Sequence, residues 1–217
     1  LTINVLIPAF NEEKNIGRVI LALKKLSLIA RIIVIDDGSW DGTANVARRM
    51  GVEVISLSPN QGKGAALYQG FKVSNGEIIA FFDADLINLT PGHILDLLLP
   101  VIKGEADMTI GVFSKGRLST DLAQKVAPFL SGQRAFTRSF LENFFNNHRE
   151  VTALGYGVEV ALTLYAEKTG ARVVEVPLVN LTHVMKEEKL GFFPGMLARA
   201  KMYREIVNSF GNKIKLG

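Results

Sequence analysis

Arg31-Ile32-Ile33-Val34-Ile35-Asp36-Asp37-Gly38-Ser39 decides the fold. Four consecutive β-branched residues without a polar gap are the pattern of a strand buried on both faces. Such strands belong to parallel sheets covered by helices on each side. The run stops at two aspartates and a glycine, which puts acidic groups at the carboxyl end of the strand. Open α/β sheets bind their ligands at that end.

Working outward, residues 3–7 read as another strand, and 15–26 have helical spacing through Ile16, Val19, Ile20, Leu23 and Leu26. Asp41 is placed to cap a helix reaching Met50 and closed by Gly51. Residues 52–57 read as a strand, 64–73 as a helix and 77–82 as a strand. This β-α-β-α-β-α-β order calls for right-handed crossovers and a Rossmann-like, mostly parallel central sheet flanked by helices. Further on, 91–102, 137–145 and 157–169 read as helices, and 106–113, 171–176 and 179–183 as strands. Residues 114–120 read as a polar loop, and 196–209 as a basic amphipathic helix. No repeat or linker interrupts the chain, so a single domain over residues 1–217 is expected.

Composition sets limits. With 217 residues the chain is long enough for one α/β core. It has no cysteine, which excludes disulfides and thiolate metal sites and suits a reducing, cytoplasmic setting. A net charge of +4 favours anionic partners. Basic and aromatic residues are not interleaved as in nucleic-acid modules, so no nucleic-acid partner is expected. No apolar run reaches the ~18 residues of a membrane span, and the opening Leu1-Thr2-Ile3-Asn4 predicts no signal peptide. The 196–209 helix leaves peripheral membrane contact open, although packing on the domain is the commoner use of such a helix.

The polar clusters fall at strand ends: Pro8-Ala9-Phe10-Asn11-Glu12, Asp36-Asp37-Gly38-Ser39 and Asp83-Ala84-Asp85. An Asp-x-Asp pair is often incidental. At the end of an apolar strand, however, both carboxylates can face a divalent cation and a diphosphate, and Mg²⁺ or Mn²⁺ suits oxygen ligands. Asp36 suits a nucleobase or ribose contact. Asn60-Gln61-Gly62-Lys63-Gly64 opens a helix, where backbone amides and Lys63 favour phosphate. It is not a Walker A loop, and no Gly-x-Gly-x-x-Gly follows the first strand. Glu159 suits a general base or a sugar contact, or else simply complements a helix dipole. His183 suits a metal ligand or a structural role, whereas His93 and His148 read as structural.

Together, Ile7-Pro8-Ala9-Phe10-Asn11-Glu12-Glu13, Ile35-Asp36-Asp37-Gly38-Ser39-Trp40-Asp41-Gly42-Thr43, Gly62-Lys63-Gly64 and Asp83-Ala84-Asp85 resemble glycosyltransferase family 2, whose fold is of the GT-A type. The resemblance implies a nucleotide-binding half, 1–112, and an acceptor-binding half, 113–217. It implies that Pro8, Ala9, Asn11, Glu12, Asp36, Gly62 and Lys63 line the nucleotide pocket, and that Asp83, Ala84 and Asp85 serve metal, sugar and diphosphate. Ser131-Gly132-Gln133-Arg134-Ala135-Phe136 is similar to polyprenyl-phosphate sugar transferases, which implies Gly132, Gln133 and Arg134 near the donor sugar or an acceptor phosphate. Asp85-Leu86-Ile87-Asn88, Gly155-Tyr156-Gly157-Val158-Glu159 and His183 are similar to glucosyl-3-phosphoglycerate synthases. That second likeness implies a substrate contact at Tyr156 and a metal site completed by His183.

The expected activity is therefore a metal-dependent transfer from a nucleoside diphosphate sugar, of UDP-glucose or GDP-mannose type, with Asp85 and Glu159 as catalytic groups. The acceptor is a hydroxyl or a phosphorylated group on a small molecule or a lipid phosphate. In the phosphate case Arg117, Arg134 and Arg138 would clamp it. The 114–120 and 185–193 loops are placed to close over the donor. A non-catalytic nucleotide-sugar binder is the alternative, and a homodimer stays open.

Overall fold

The computed structural model describes residues 1–114, 131–148 and 157–183. Its strands are β1 (Ile3–Ala9), β2 (Ile29–Asp36), β3 (Glu53–Ser56), β4 (Ile78–Phe81), β5 (Leu86–Ile87), β6 (Met108–Ser114), β7 (Arg134–Thr137), β8 (Val173–Val179) and β9 (Thr182–His183). The helices are α1 (Ile16–Leu23), α2 (Thr43–Arg49), α3 (Lys63–Val73), α4 (Pro91–Ile102), α5 (Arg138–Asn147) and α6 (Gly157–Thr169).

Seven strands form one sheet in the order β3-β2-β1-β4-β7-β6-β8, and β7 alone runs antiparallel to its neighbours. The period of two along each strand divides the core. Val5, Ile7, Val34, Ile78 and Ala80 face α1 and α4, whereas Leu6, Ile33, Ile35, Ile79 and Phe81 face α3, α5 and α6. Strand order reverses between β1, whose outer neighbour is β2, and β4 on its other side. The crevice at such a switch point is where open α/β sheets take ligands.

Local chemistry explains most boundaries. Pro91 opens α4, and Thr90 caps it by accepting from the His93 amide at 3.2 Å. The His93 ring accepts from the Thr90 amide, and its other nitrogen lies 2.9 Å from the Val179 carbonyl, so this histidine is structural as expected. The α2 cap is Gly42 rather than Asp41. Asp41 stands one position earlier and joins two loops, accepting from the Thr43 amide at 3.0 Å and the Glu13 amide at 3.2 Å.

Three elements differ from the sequence reading. β7 occupies what read only as a binding motif, and β5, the first strand of the short antiparallel pair β5–β9, has no counterpart in the sequence reading. β6 runs on to Ser114, where a loop was expected. The 196–209 helix, the 185–193 loop, Arg117 and Tyr156 lie outside the described residues. Among the described residues no helix is long and apolar enough to cross a membrane.

Candidate active site

β1 and β2 end side by side, with Pro8 opposite Ile35 and Ala9 opposite Asp36. This register brings together the residues expected to line a nucleotide pocket. Asp36 is buried and accepts from the Ser39 amide at 3.2 Å. Asn11, in the left-handed region at φ 56°, links the two strand ends. Its amide donates to Ser39 Oγ at 2.9 Å and its side-chain oxygen accepts from the Trp40 amide at 3.1 Å. Glu12 is nearly buried, and one of its carboxylate oxygens accepts from Asn15 Nδ2 at 2.8 Å.

The Asn60–Gly62 loop meets this pair from the other side. Asp37, next to Asp36, accepts from the Gln61 and Gly62 amides, each at 2.8 Å. Burial raises the Asp37 pKa, the two amide donors lower it, Asp36 raises it again, and the net shift is upward. Two of the amides in the stretch expected to meet a ligand phosphate thus already hold an internal carboxylate. The sequence reading missed Asp37. Its signal was a second aspartate directly before a glycine in a positive-φ turn, here Gly38 at φ 78°.

Lys63, the first residue of α3, carries its ammonium between two carboxylates, 2.6 Å from Asp83 Oδ1 and 2.5 Å from Glu159 Oε1. Burial alone disfavours the charged amine, but Asp83 and Glu159 together outweigh it and raise the Lys63 pKa. Lys63 is therefore a fixed positive charge rather than a base. Gln133 Nε2 donates to the second Asp83 oxygen at 2.9 Å. Gly132 packs so closely that a Cβ there would lie 2.5 Å from Asp83 Oδ2 and 2.7 Å from Lys63 Nζ. Gln133 Oε1 and Glu159 Oε2 are buried without a hydrogen-bond partner.

Arg134 lies beneath this cluster and is fully buried. It donates to the Ser131 carbonyl and to Thr163 Oγ1, both at 2.9 Å. Burial pushes its pKa down to about 10, with Glu159 acting in the opposite direction. In this arrangement its charge supports the site from below and reaches no surface. Arg138 is elsewhere. Because β7 is antiparallel, Arg134 stands opposite Phe81 at the carboxyl end of β4, while Thr137 stands opposite Ile78 at the far end. The next residue, Arg138, donates there to the Ser74 carbonyl at 2.9 Å and does not join the cluster.

Asp85 is partly buried, one small residue beyond Asp83. Asp83 is engaged on both oxygens, by Lys63 and Gln133, and both carboxylates of the pair carry the hard oxygen donors that suit a divalent cation. The β5–β9 register sets His183 opposite Leu86, the residue after Asp85. Among the described residues no three His, Asp or Glu side chains cluster as a complete metal cage. Mg²⁺ commonly needs none, being held by one or two carboxylates plus substrate phosphates.

The model for glycosyl transferase family 2 matches residues 4–159. The chain belongs to glycosyl transferase family 2. Among family 2 relatives it is 30% identical over 189 residues to glucosyl-3-phosphoglycerate synthase of Mycolicibacterium smegmatis, covering 74% of this chain and 62% of that protein. It is 31% identical over 194 residues to the Mycobacterium tuberculosis synthase, covering 75% and 60%. The chain thus spans less than two thirds of the length of these relatives. An uncharacterized protein of Methanocaldococcus jannaschii is 32% identical over 200 residues, with 82% and 80% covered. Among solved structures, the M. tuberculosis synthase in complex with Mn²⁺, UDP and glucosyl-3-phosphoglycerate matches with TM-score 0.75 at 27% identity, covering 96% of this chain and 78% of that one. The same enzyme with Mn²⁺ and UDP-glucose matches with TM-score 0.68 at 29% identity, covering 84% and 67%. The seven-stranded sheet flanked by helices is the GT-A fold of these family 2 neighbours.

Proposed function

We propose that this chain transfers a sugar from a nucleoside diphosphate sugar, of the UDP-glucose type, to a small phosphorylated acid of the phosphoglycerate type. The observation that carries the reading is the Lys63 ammonium fixed between Asp83 and Glu159, beside Asp85, at the carboxyl edge of the sheet. Similarity to synthases solved with Mn²⁺, UDP-glucose and phosphoglyceric acid supports the choice of substrates.

In this reading Asp36, Pro8, Ala9, Asn11 and Glu12 take the nucleoside. Asp85 would hold Mg²⁺ or Mn²⁺, with His183, opposite Leu86 in the β5–β9 register, as the further candidate ligand. A cation there, when bound with the diphosphate, offsets the negative charge that builds on the leaving group. Lys63 adds a permanent positive charge on the same side, and Asp83 and Gln133 shape the sugar site around Gly132. Glu159, ion-paired with Lys63, contributes by holding that lysine and by facing the sugar. Of the three clamps expected for a phosphate acceptor, Arg134 is buried, Arg138 stands at the opposite end of the sheet and Arg117 lies outside the described residues. The small acid is chosen on the similarity to the synthases.

The test is nucleotide release from UDP-glucose, GDP-mannose and dTDP-glucose, each with phosphoglycerate or a polyprenyl phosphate, with Mn²⁺, Mg²⁺ or a chelator. UDP-glucose with phosphoglycerate and Mn²⁺ is expected to turn over, and chelation to lower the rate at least about a hundredfold. Asp85→Ala is expected to remove the metal stimulation and keep the circular dichroism spectrum. Full metal-stimulated turnover in that variant would sink the proposed role of Asp85.

A further inference from the structure

We infer that Asp37 is a positioning residue, which sets Lys63 by occupying the backbone amides directly in front of α3. The geometry is that of an internal anion site. Consecutive backbone amides in a turn form a natural cradle for an anion, and here one carboxylate takes the two just ahead of α3, Gln61 N and Gly62 N, each at 2.8 Å. The same residue holds the loop a third time, because Asn60 Nδ2 donates to the Asp37 carbonyl at 2.9 Å. Asp37 is itself anchored, being 4% exposed and donating its amide to the Ala9 carbonyl at 2.8 Å. The turn leaves no slack. A Cβ on Gly38 would lie 2.9 Å from the Asn60 amide nitrogen, and Gly62 sits at φ 90° with Lys63 next in the chain.

The consequence is a division of labour between neighbours. Asp36 accepts from the Ser39 amide within its own turn, and Asp37 ties that turn to the loop that delivers the lysine. Without the Asp37 carboxylate, the two loop amides just ahead of α3 lose their acceptor, which loosens the loop's tie to the end of β2. Lys63 then leaves its place between Asp83 and Glu159 more often. The role deepens the proposed donor site and rests on that reading for its kinetic arm only.

The experiment compares wild type with Asp37→Asn and Asp37→Ala in the intact chain. Its first readout needs no substrate: the rate at which an amine-acylating reagent modifies Lys63, followed by peptide mass spectrometry. Modification is expected to rise roughly tenfold in the alanine variant, with asparagine between it and wild type, as local opening becomes easier. The second readout is kinetic. A fall in kcat of up to about a hundredfold is expected from a displaced charged group, with affinity for UDP alone within about twofold of wild type. Lys63 as protected as in wild type, in an alanine variant that melts cooperatively, overturns the inference. So does a variant in which UDP affinity falls as far as kcat. If neither variant folds, Gly62→Ala strains the same loop with the carboxylate in place. Raised Lys63 modification in that variant supports the role, and unchanged protection overturns it. A wild-type chain inactive with every donor would defeat the transferase reading and leave the modification result intact.

Discussion

At the scale of single residues, the tightest position is Gly132. A Cβ there would lie within 2.7 Å of three atoms of the Asp83–Lys63 pair, a carboxylate and an ammonium held in place by their ion pair. Gly132→Ala is expected to lower kcat/KM about a hundredfold by parting that pair, with a melting temperature within a few degrees of wild type. Wild-type kinetics in this variant would show that the contact between Lys63 and Asp83 is not needed. Lys63 and Asp83 were legible in the sequence because each lies in a short motif at a strand or helix end. Asp37 was not, because its partners are 24 and 25 residues away and its neighbour Asp36 drew the functional reading. Arg138 read as a phosphate clamp because a sequence does not reveal which way a strand runs. One reversed strand carries residue 138 to the opposite end of the sheet from residue 134.

At the scale of elements, local signals worked where the element makes its own boundary. Pro91 and Thr90 mark the start of α4, and the helix begins where they put it. Thr90→Ala removes the acceptor for the His93 amide and is expected to cost about 1 kcal/mol, which for a domain of this size lowers the melting temperature by roughly 2–4 °C. Calorimetry of the variant checks this, and an unchanged midpoint would mean that the His93 contact to Val179 holds the helix start without the cap. β7 had no comparable signal. Its four residues, Arg-Ala-Phe-Thr, contain one β-branched residue and one charge. They are extended because β4 and β6 offer ladders on both sides, and Arg134 is tolerated in the core because Ser131 and Thr163 accept its protons.

At the scale of the whole molecule, the parallel half was legible because each β-branched run ends in a polar turn, and ordered turns fix ordered strands. Its acid sensitivity follows from pairs that bridge distant segments. Asp41, Glu53 and Asp107 have lowered pKa values. For Asp41, burial opposes hydrogen bonds from Thr43 and the Glu13 amide that prevail. For Glu53 and Asp107 the leading causes are the hydrogen bonds from Arg31 and Arg172. A depressed carboxylate contributes stability that is complete above its unfolded value and is lost as pH falls through the folded one. Stability is therefore expected to hold from neutral pH down to about pH 4 and to decline below it. Denaturant melts across that range check the sign, and replacing Arg31 and Arg172 by Met should flatten the acid limb. These pairs are partly exposed, so added salt should weaken their share.

β7 follows β4 and β6 in the chain yet lies between them. On a ribosome, which delivers the chain from its amino end, both neighbours emerge first and each presents an open edge. Lys63 and Asp83 are likewise made well before Gln133 and Glu159. The nascent protein thus exposes two unpaired edges until β7 arrives and an incomplete charge cluster until Glu159 does, which makes that interval the one in which a holdase would have most to protect.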